Sequence, residues 1–170
     1  MSDNIVANQN LIQDFIDATG KVLSTMASFD VKATEAREIN GNGNSQDVTV
    51  CFDITAVLGF SGGRKGSLLV SFPRNIAFRT VGGMLGIEFT EIDSDVRDGV
   101  SELVNMIAGG AKTKLQDKGI DFELSIPNTI IGWQHQIAGG ASTTRTRVDF
   151  DSDIGSFFIE VYLKEDYKGV

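Results

Sequence analysis

The chain has 170 residues, with 15 Lys and Arg against 23 Asp and Glu, a formal net charge of −8 at neutral pH. That length sets the expectation of a single domain spanning residues 1–170, able to bury a core without staples. The acidic balance argues against a nucleic-acid binder, because phosphate backbones need clustered Lys and Arg. The nearest basic pairs, Arg64-Lys65 in a turn and Arg145 with Arg147 in a strand, read as solvated positions. Cys51 is the one cysteine, so no internal disulfide can form, and a reducing, cytoplasmic setting fits. The start, Met1-Ser2-Asp3-Asn4, lacks the basic and apolar regions of a signal peptide, and no stretch has the length of a membrane span.

In chain order, Ile12, Phe15, Ile16, Thr19, Val22, Leu23 and Met26 recur at three- and four-residue steps and predict an amphipathic first helix. Phe29 to Ile39 alternates weakly, as a short strand, and Asn40 to Ser45 reads as a loop. From Asp47 to Phe60 one strand is expected, with Val48, Val50, Phe52, Ile54 and Ala56 on one face. Ser61 to Gly66 turns the chain into a second strand, Ser67 to Phe72, making a hairpin. Pro73 suits a helix start and Gly86 its end. A longer helix follows, with Asp93 or Ser94 as N-cap and Gly119 as its stop. The last third predicts strands over Phe122 to Ile126, Thr144 to Phe150 and Ser156 to Leu163, the last two joined by a turn at Asp151 to Gly155. Thr129 to Ser142 has no clear pattern. The fold class read from this is α+β: a mainly antiparallel sheet of about six strands with about three helices packed against it.

The helix from Ser94 carries the chemistry. At about 100° per residue, Val100, Leu103, Val104, Ile107, Ala111 and Leu115 form one apolar stripe. Asp98, Glu102, Asn105, Met106 and Gly109 fall opposite it, and Glu102 and Asn105 are i, i+3 neighbours. Asn is a mediocre helix former with no capping role in mid-helix. Gly109 and Gly110 each cost about 1 kcal/mol there relative to Ala. Together these mark a docking face with one acid and one amide at its centre. The plainer alternative is a solvated Glu, an incidental Asn, and glycines that let the helix pack on its own sheet.

This stretch resembles the signature of the CheC/CheX family of chemotaxis phosphatases: an Asp or Ser, three residues, Glu, two residues, Asn, then about twenty-one residues to a Pro. Asp98, Glu102, Asn105 and Pro127 stand at those spacings. The motif occurs once, which places the chain closer to the single-motif CheX branch than to the two-copy CheC branch. The resemblance implies a phosphatase that hydrolyses the aspartyl-phosphate of a CheY-like response-regulator receiver domain. It implies that Asn105 positions the attacking water and that Glu102 pairs with a receiver Lys. Asp98, Met106 and Gly109 would contact the partner. No cofactor or metal is expected in this chain, since the Mg²⁺ belongs to the receiver. A homodimer is also implied, and neither nucleic acid nor membrane is an expected partner. The alternative within the same fold is a non-catalytic receiver-binding or flagellar-switch-like module, and a third is a scaffold whose dimer interface is its role.

Other candidates carry less. His135 stands alone, with nothing to activate a triad. Cys51 alternates within a strand and reads as structural. No Cys or His set has zinc spacing. Asp151, Asp153 and Glu160 lack the rest of a calcium loop and read as turn chemistry. The Gly-rich turn at residues 61–66 leads into a strand and lacks the Lys-Ser/Thr ending of a phosphate loop. Trp133 and Phe60 read as core or edge packing.

Overall fold

Helix ends fall at the capping residues. A computed structural model describes residues 2–39, 48–140 and 142–164, with side chains from residue 6 onward; the expected Asn40–Ser45 loop lies outside the described residues. Helix α1 spans Ser2–Ala27. Helix α2 spans Arg74–Leu85, behind Pro73, and Gly86 closes it in the left-handed region at φ 72°. Asp53 Oδ2 accepts the Arg74 N–H at 2.8 Å, capping a helix whose own Pro73 has no side chain for the task. Helix α3 spans Ser94–Asp117, and Asp93 Oδ1 accepts the Val96 N–H at 2.9 Å. Gly119, at φ 79°, ends it, and the Ile120 N–H reaches back to the Leu115 carbonyl at 2.9 Å.

Ten strand segments are described: β1 (Lys32–Ala33), β2 (Arg37–Ile39), β3 (Val48–Val50), β4 (Ile54–Gly62), β5 (Gly66–Phe72), β6 (Phe122–Leu124), β7 (Asn128–Ile131), β8 (Gln136–Ala138), β9 (Thr143–Ser152) and β10 (Gly155–Lys164). The main sheet runs β1-β9-β10-β5-β4-β6, with β2 also on β9 and β7 also on β4, every pairing antiparallel. The α+β class therefore holds. Two of the four extra segments come from breaks in strands read as continuous, and the other two, β7 and β8, fall almost wholly within Thr129 to Ser142, where no pattern was clear.

The expected Asp47–Phe60 strand is two strands in two sheets. Strand β3 pairs with β8 in a separate two-stranded flap, while β4 lies in the main sheet. Between them Phe52 donates its N–H to Ser71 Oγ at 2.8 Å, and Asp53 turns away to cap α2. That break shifts the phase of the alternation. Val48 and Val50 are exposed, and Thr49 and Cys51 are the buried pair, the reverse of the expected face.

The sheet is covered on both faces. On one, Leu68, Val70 and Phe72 of β5 and Phe157, Ile159 and Val161 of β10 join the helices in the main core. Helix α3 lies over β4, β6 and β7, α2 over β5 and β10, and α1 packs across both helices. On the other face, Leu69, Phe158 and Tyr162 pack with Cys51 and Ile137 of the flap segments.

A polar network is sealed beneath the flap. Glu160 is fully buried and pairs across the strands with Arg147. Thr49 Oγ1 hydrogen-bonds both Glu160 carboxylate oxygens, at 2.9 and 2.7 Å, and Tyr162 donates its hydroxyl to Oε2 at 2.8 Å. Arg145 lies 3.7 Å and Arg147 3.8 Å from the same carboxylate. Buried charge needs such company. Arg145, 4 % exposed, and the largely covered Arg147 are thus interior groups, not the solvated pair expected. Burial pushes the Tyr162 hydroxyl up to about 12, with Thr49 pulling it down and Glu160 pushing it further up. Burial likewise pushes the Cys51 thiol up, in keeping with a structural reading.

Candidate active site

The apolar stripe of α3 faces the core as its periodicity requires: Val100, Leu103, Val104, Ile107, Ala111 and Leu115 are all fully buried. Two neighbours pin the helix from the sides. At Gly99 a Cβ would lie 2.5 Å from Val81 Cγ1, so only glycine permits this approach of α2. At Gly110 a Cβ would meet Ala18 Cβ of α1 at 3.3 Å. Lys114 and Lys118 add ion pairs to α1, 3.0 Å to Asp17 and 2.6 Å to Asp14. Burial raises Asp17, but its hydrogen bonds from Gln13 and Lys114 outweigh this and leave its carboxyl below the usual range.

What remains open is one strip. Asp98, Glu102 and Asn105 are all exposed. Neither Glu102 nor Asn105 has a hydrogen bond or ion pair among the described residues, so a full carboxylate and a full carboxamide are available to an incoming surface. Gly109 lies on the same strip, and a Cβ there would meet nothing within 4 Å. The two adjacent glycines thus differ: Gly110 serves packing within the chain, and Gly109 leaves bare backbone outward. Thr113 Oγ1 donates to the Gly109 carbonyl at 3.1 Å, which satisfies that acceptor locally. Met106 is half-buried and packs against the core, so its side chain belongs partly to the interior. Pro127 lies off the helix, between β6 and β7, both of which α3 contacts.

The remaining residues singled out in the sequence lie elsewhere. His135 is half-buried behind the flap; its Nδ1 is 2.6 Å from the Gly132 carbonyl and its Nε2 2.8 Å from Thr55 Oγ1. The carbonyl can only accept, so Nδ1 carries a proton and the ring staples β4 to the 132–135 turn. Trp133 is no core residue: it stands 77 % exposed on that turn, while Phe60 packs in the main core. Among the described residues no three His, Cys, Asp or Glu side chains converge on a metal-sized site, and no helix is long and apolar enough to cross a membrane.

Sequence reasoning missed the Glu160 network. The signal was present: one acid in the run Phe157-Phe158-Ile159-Glu160-Val161-Tyr162, with Arg145 and Arg147 two apart on the adjacent strand.

The molecule is thus a helical layer on an antiparallel sheet, with an acid and an amide three residues apart on an exposed helix face. The family described as chemotaxis phosphatase CheX matches residues 54–151, more than half of the chain. The chain belongs to the CheX family.

A curated relative, the CheY-P phosphatase CheX of Thermotoga maritima, is 30% identical over 86 residues, covering 50% of this chain and 56% of that protein. The match thus spans a little over half of the relative's length. The crystal structure of chemotaxis protein CheX from Desulfovibrio desulfuricans superposes with a TM-score of 0.81 at 31% identity, over 91% of this chain and 99% of that one. CheX of Borrelia burgdorferi, solved as a complex with CheY, BeF3 and Mg²⁺, shares the fold at a TM-score of 0.74 and 21% identity, over 91% of this chain and 97% of that one.

Proposed function

We propose that this chain is a phosphatase that hydrolyses the aspartyl-phosphate of a CheY-like receiver domain, with α3 as its docking helix. The observation that carries this reading is the pairing of Glu102 and Asn105, exposed, adjacent and unpartnered on a helix held on its other sides. The names of the Thermotoga relative and of the Borrelia complex support the same substrate class.

In this reaction water attacks phosphorus and the bond from phosphorus to the receiver's Asp oxygen breaks. Inorganic phosphate leaves with the water's proton, and the Asp carboxylate is restored. The receiver brings the acyl phosphate, the Mg²⁺ and a Lys. What it lacks is a held nucleophile. The Asn105 carboxamide oxygen accepts one water hydrogen and keeps the water in line, a positioning role of the kind a Gln plays in some GTPases. The Glu102 carboxylate pairs with the receiver's Lys and sets α3 over the phosphate. Asp98 adds negative charge one turn earlier, and bare Gly109 lets the partner's backbone come close. No step requires a base with a shifted pKa.

The test is phosphate release from a phosphorylated CheY-like receiver by wild type, Glu102→Ala and Asn105→Ala. Asn105→Ala is expected to slow release by about 10²-fold or more while receiver binding persists. Near-wild-type rates in Asn105→Ala would end this reading. Binding without acceleration by wild type would favour a non-catalytic module.

A homodimer belongs to the same proposal. The β6–β7 edge is the surface that suits a second copy, because Ile126, Ile130, Ile131 and Trp133 are exposed along it. A sedimentation experiment with Trp133→Glu, expected to shift the protein toward monomer, tests it.

A further inference from the structure

The flap and the sheet enclose a cleft on the face away from α3. Its volume is about 500 Å³, within the range of small-molecule sites. Val57, Leu69 and Ile137 give it an apolar floor, and the Tyr162 ring forms one wall. That wall is fixed: the Tyr162 hydroxyl is committed to Glu160, and the Arg145 guanidinium sits 5.3 Å from the ring centroid.

The flap side is backbone. At Gly139 a Cβ would come within 3.0 Å of Arg145 Cδ and 3.3 Å of Tyr162 Cε1, so glycine lets the flap settle on the ring. Gly140 also lines the cleft, and a Cβ there would meet nothing within 4 Å, so the flap is open at this position. The apolar floor beside the Tyr162 ring suits a flat apolar group.

The charge at the rim is unlike the rest of the molecule. Lys65 and Lys164 are the charged residues that line the cleft, in a chain of net charge −8. The Lys164 N–H donates to the Lys65 carbonyl at 2.9 Å, which holds the two side by side. Neither ammonium has an ion pair among the described residues, whereas Lys112, Lys114 and Lys118 each have one. Ser67 and Thr143 add hydroxyls at the lining.

We propose that this cleft binds a small aromatic anion, a flat apolar body carrying a carboxylate, sulfonate or phosphate. The ring lies on the Val57, Leu69 and Ile137 floor beside Tyr162, at the open side by Gly140, and the anionic group faces Lys65 and Lys164. This site is separate from Glu102 and Asn105 and stands whether or not the proposed phosphatase activity does.

The probe is 8-anilinonaphthalene-1-sulfonate, titrated into the full chain with fluorescence readout and followed by amide NMR shifts. One saturable site is expected, with affinity in the tens-of-micromolar range for a ligand of that size. The double variant Lys65→Glu/Lys164→Glu is expected to bind about tenfold more weakly, and added salt to weaken the wild type. Gly140→Leu, which adds a bulky side chain at the open side of the cleft, is expected to weaken binding at least tenfold with the thermal midpoint unchanged. Trp133→Ala, which removes the largest exposed apolar group, is expected to bind as wild type does. Binding that survives the lysine reversal, or that is lost in Trp133→Ala, would overturn the proposal. Shifts confined to the α3 strip or the β6–β7 edge would overturn it as well.

Discussion

Gly99→Ala places a methyl group where α2 and α3 leave no room. The new Cβ would lie 2.5 Å from Val81 Cγ1, 2.9 Å from Cγ2 and 3.2 Å from Cβ. Carbon atoms rest at about 3.5–4.0 Å, so the helices must part by about 1 Å or Val81 must change rotamer. A β-branched residue in a helix has one strongly preferred χ1, which makes the second route costly. Helix propensity alone favours Ala by about 1 kcal/mol. Overpacking opposes it by about 1–3 kcal/mol. The expected net effect is destabilisation by about 1 kcal/mol, a fall of about 2–4 °C in the thermal midpoint for a chain of this size. Val81→Ala alone removes two buried methyls and is expected to cost about 2 kcal/mol. In the double variant the new methyl occupies the space the old ones left, so the two changes should couple favourably by about 1 kcal/mol. Circular-dichroism melts of the four proteins close the cycle. Phosphate-release rates measured beside them report whether tilting α3, one turn ahead of Glu102, disturbs the exposed strip. A higher midpoint in Gly99→Ala, or strict additivity, would refute the close-approach argument.

Three other outcomes follow from the same contacts. Asn105→Ala is expected to raise stability by about 0.5 kcal/mol through helix propensity, since the side chain has no partner to lose; a lower thermal midpoint would show that it holds the fold. Thr49→Val deprives a buried carboxylate of one of its two hydroxyl partners and is expected to cost about 2–3 kcal/mol in urea denaturation, with a cost under about 0.5 kcal/mol contradicting the network. Tyr162 is held at about 12 by burial, above the unfolded value near 10, so its contribution is present below pH 10 and lost as pH rises toward 12. Urea midpoints across that window should fall steeply in the wild type and less in Tyr162→Phe, and an equal slope would exclude Tyr162 as the cause.

The helices were the most legible part of the chain, because their signals are local. Asp93, Gly119, Pro73 and Gly86 each end or begin a helix where their backbone preferences place them. The buried stripe of α3 follows from spacing alone, and so does the exposure of Glu102 and Asn105 on its far side. The flap was illegible for the opposite reason. Its alternation continues smoothly through Cys51 and Phe52, and the break depends on Ser71 and Arg74, some twenty residues away. A strand whose buried side carries Thr49 looks inverted until Glu160 lies opposite it. Arg145 and Arg147 looked solvated for the same reason, since their partner sits on another strand. Met106 lay at the edge of the outer face, where a few tens of degrees decide between interior and surface.

The position of the β9–β10 hairpin governs how the molecule must be made. These are the last strands in the described chain, yet β10 sits mid-sheet, between β9 with its β1 and β2 partners and the β5–β4 pair. Until residue 164 has been synthesised, the early strands are two unconnected fragments and the apolar faces of all three helices have only part of their floor. At about 5–20 residues per second, that leaves the nascent chain incomplete for roughly ten seconds or more. The sheet closes by insertion at its centre rather than growth at its edge. A ribosome stalled before β10 would therefore hold a chain whose core lacks Phe157, Ile159, Val161 and Leu163, a natural client for chaperones.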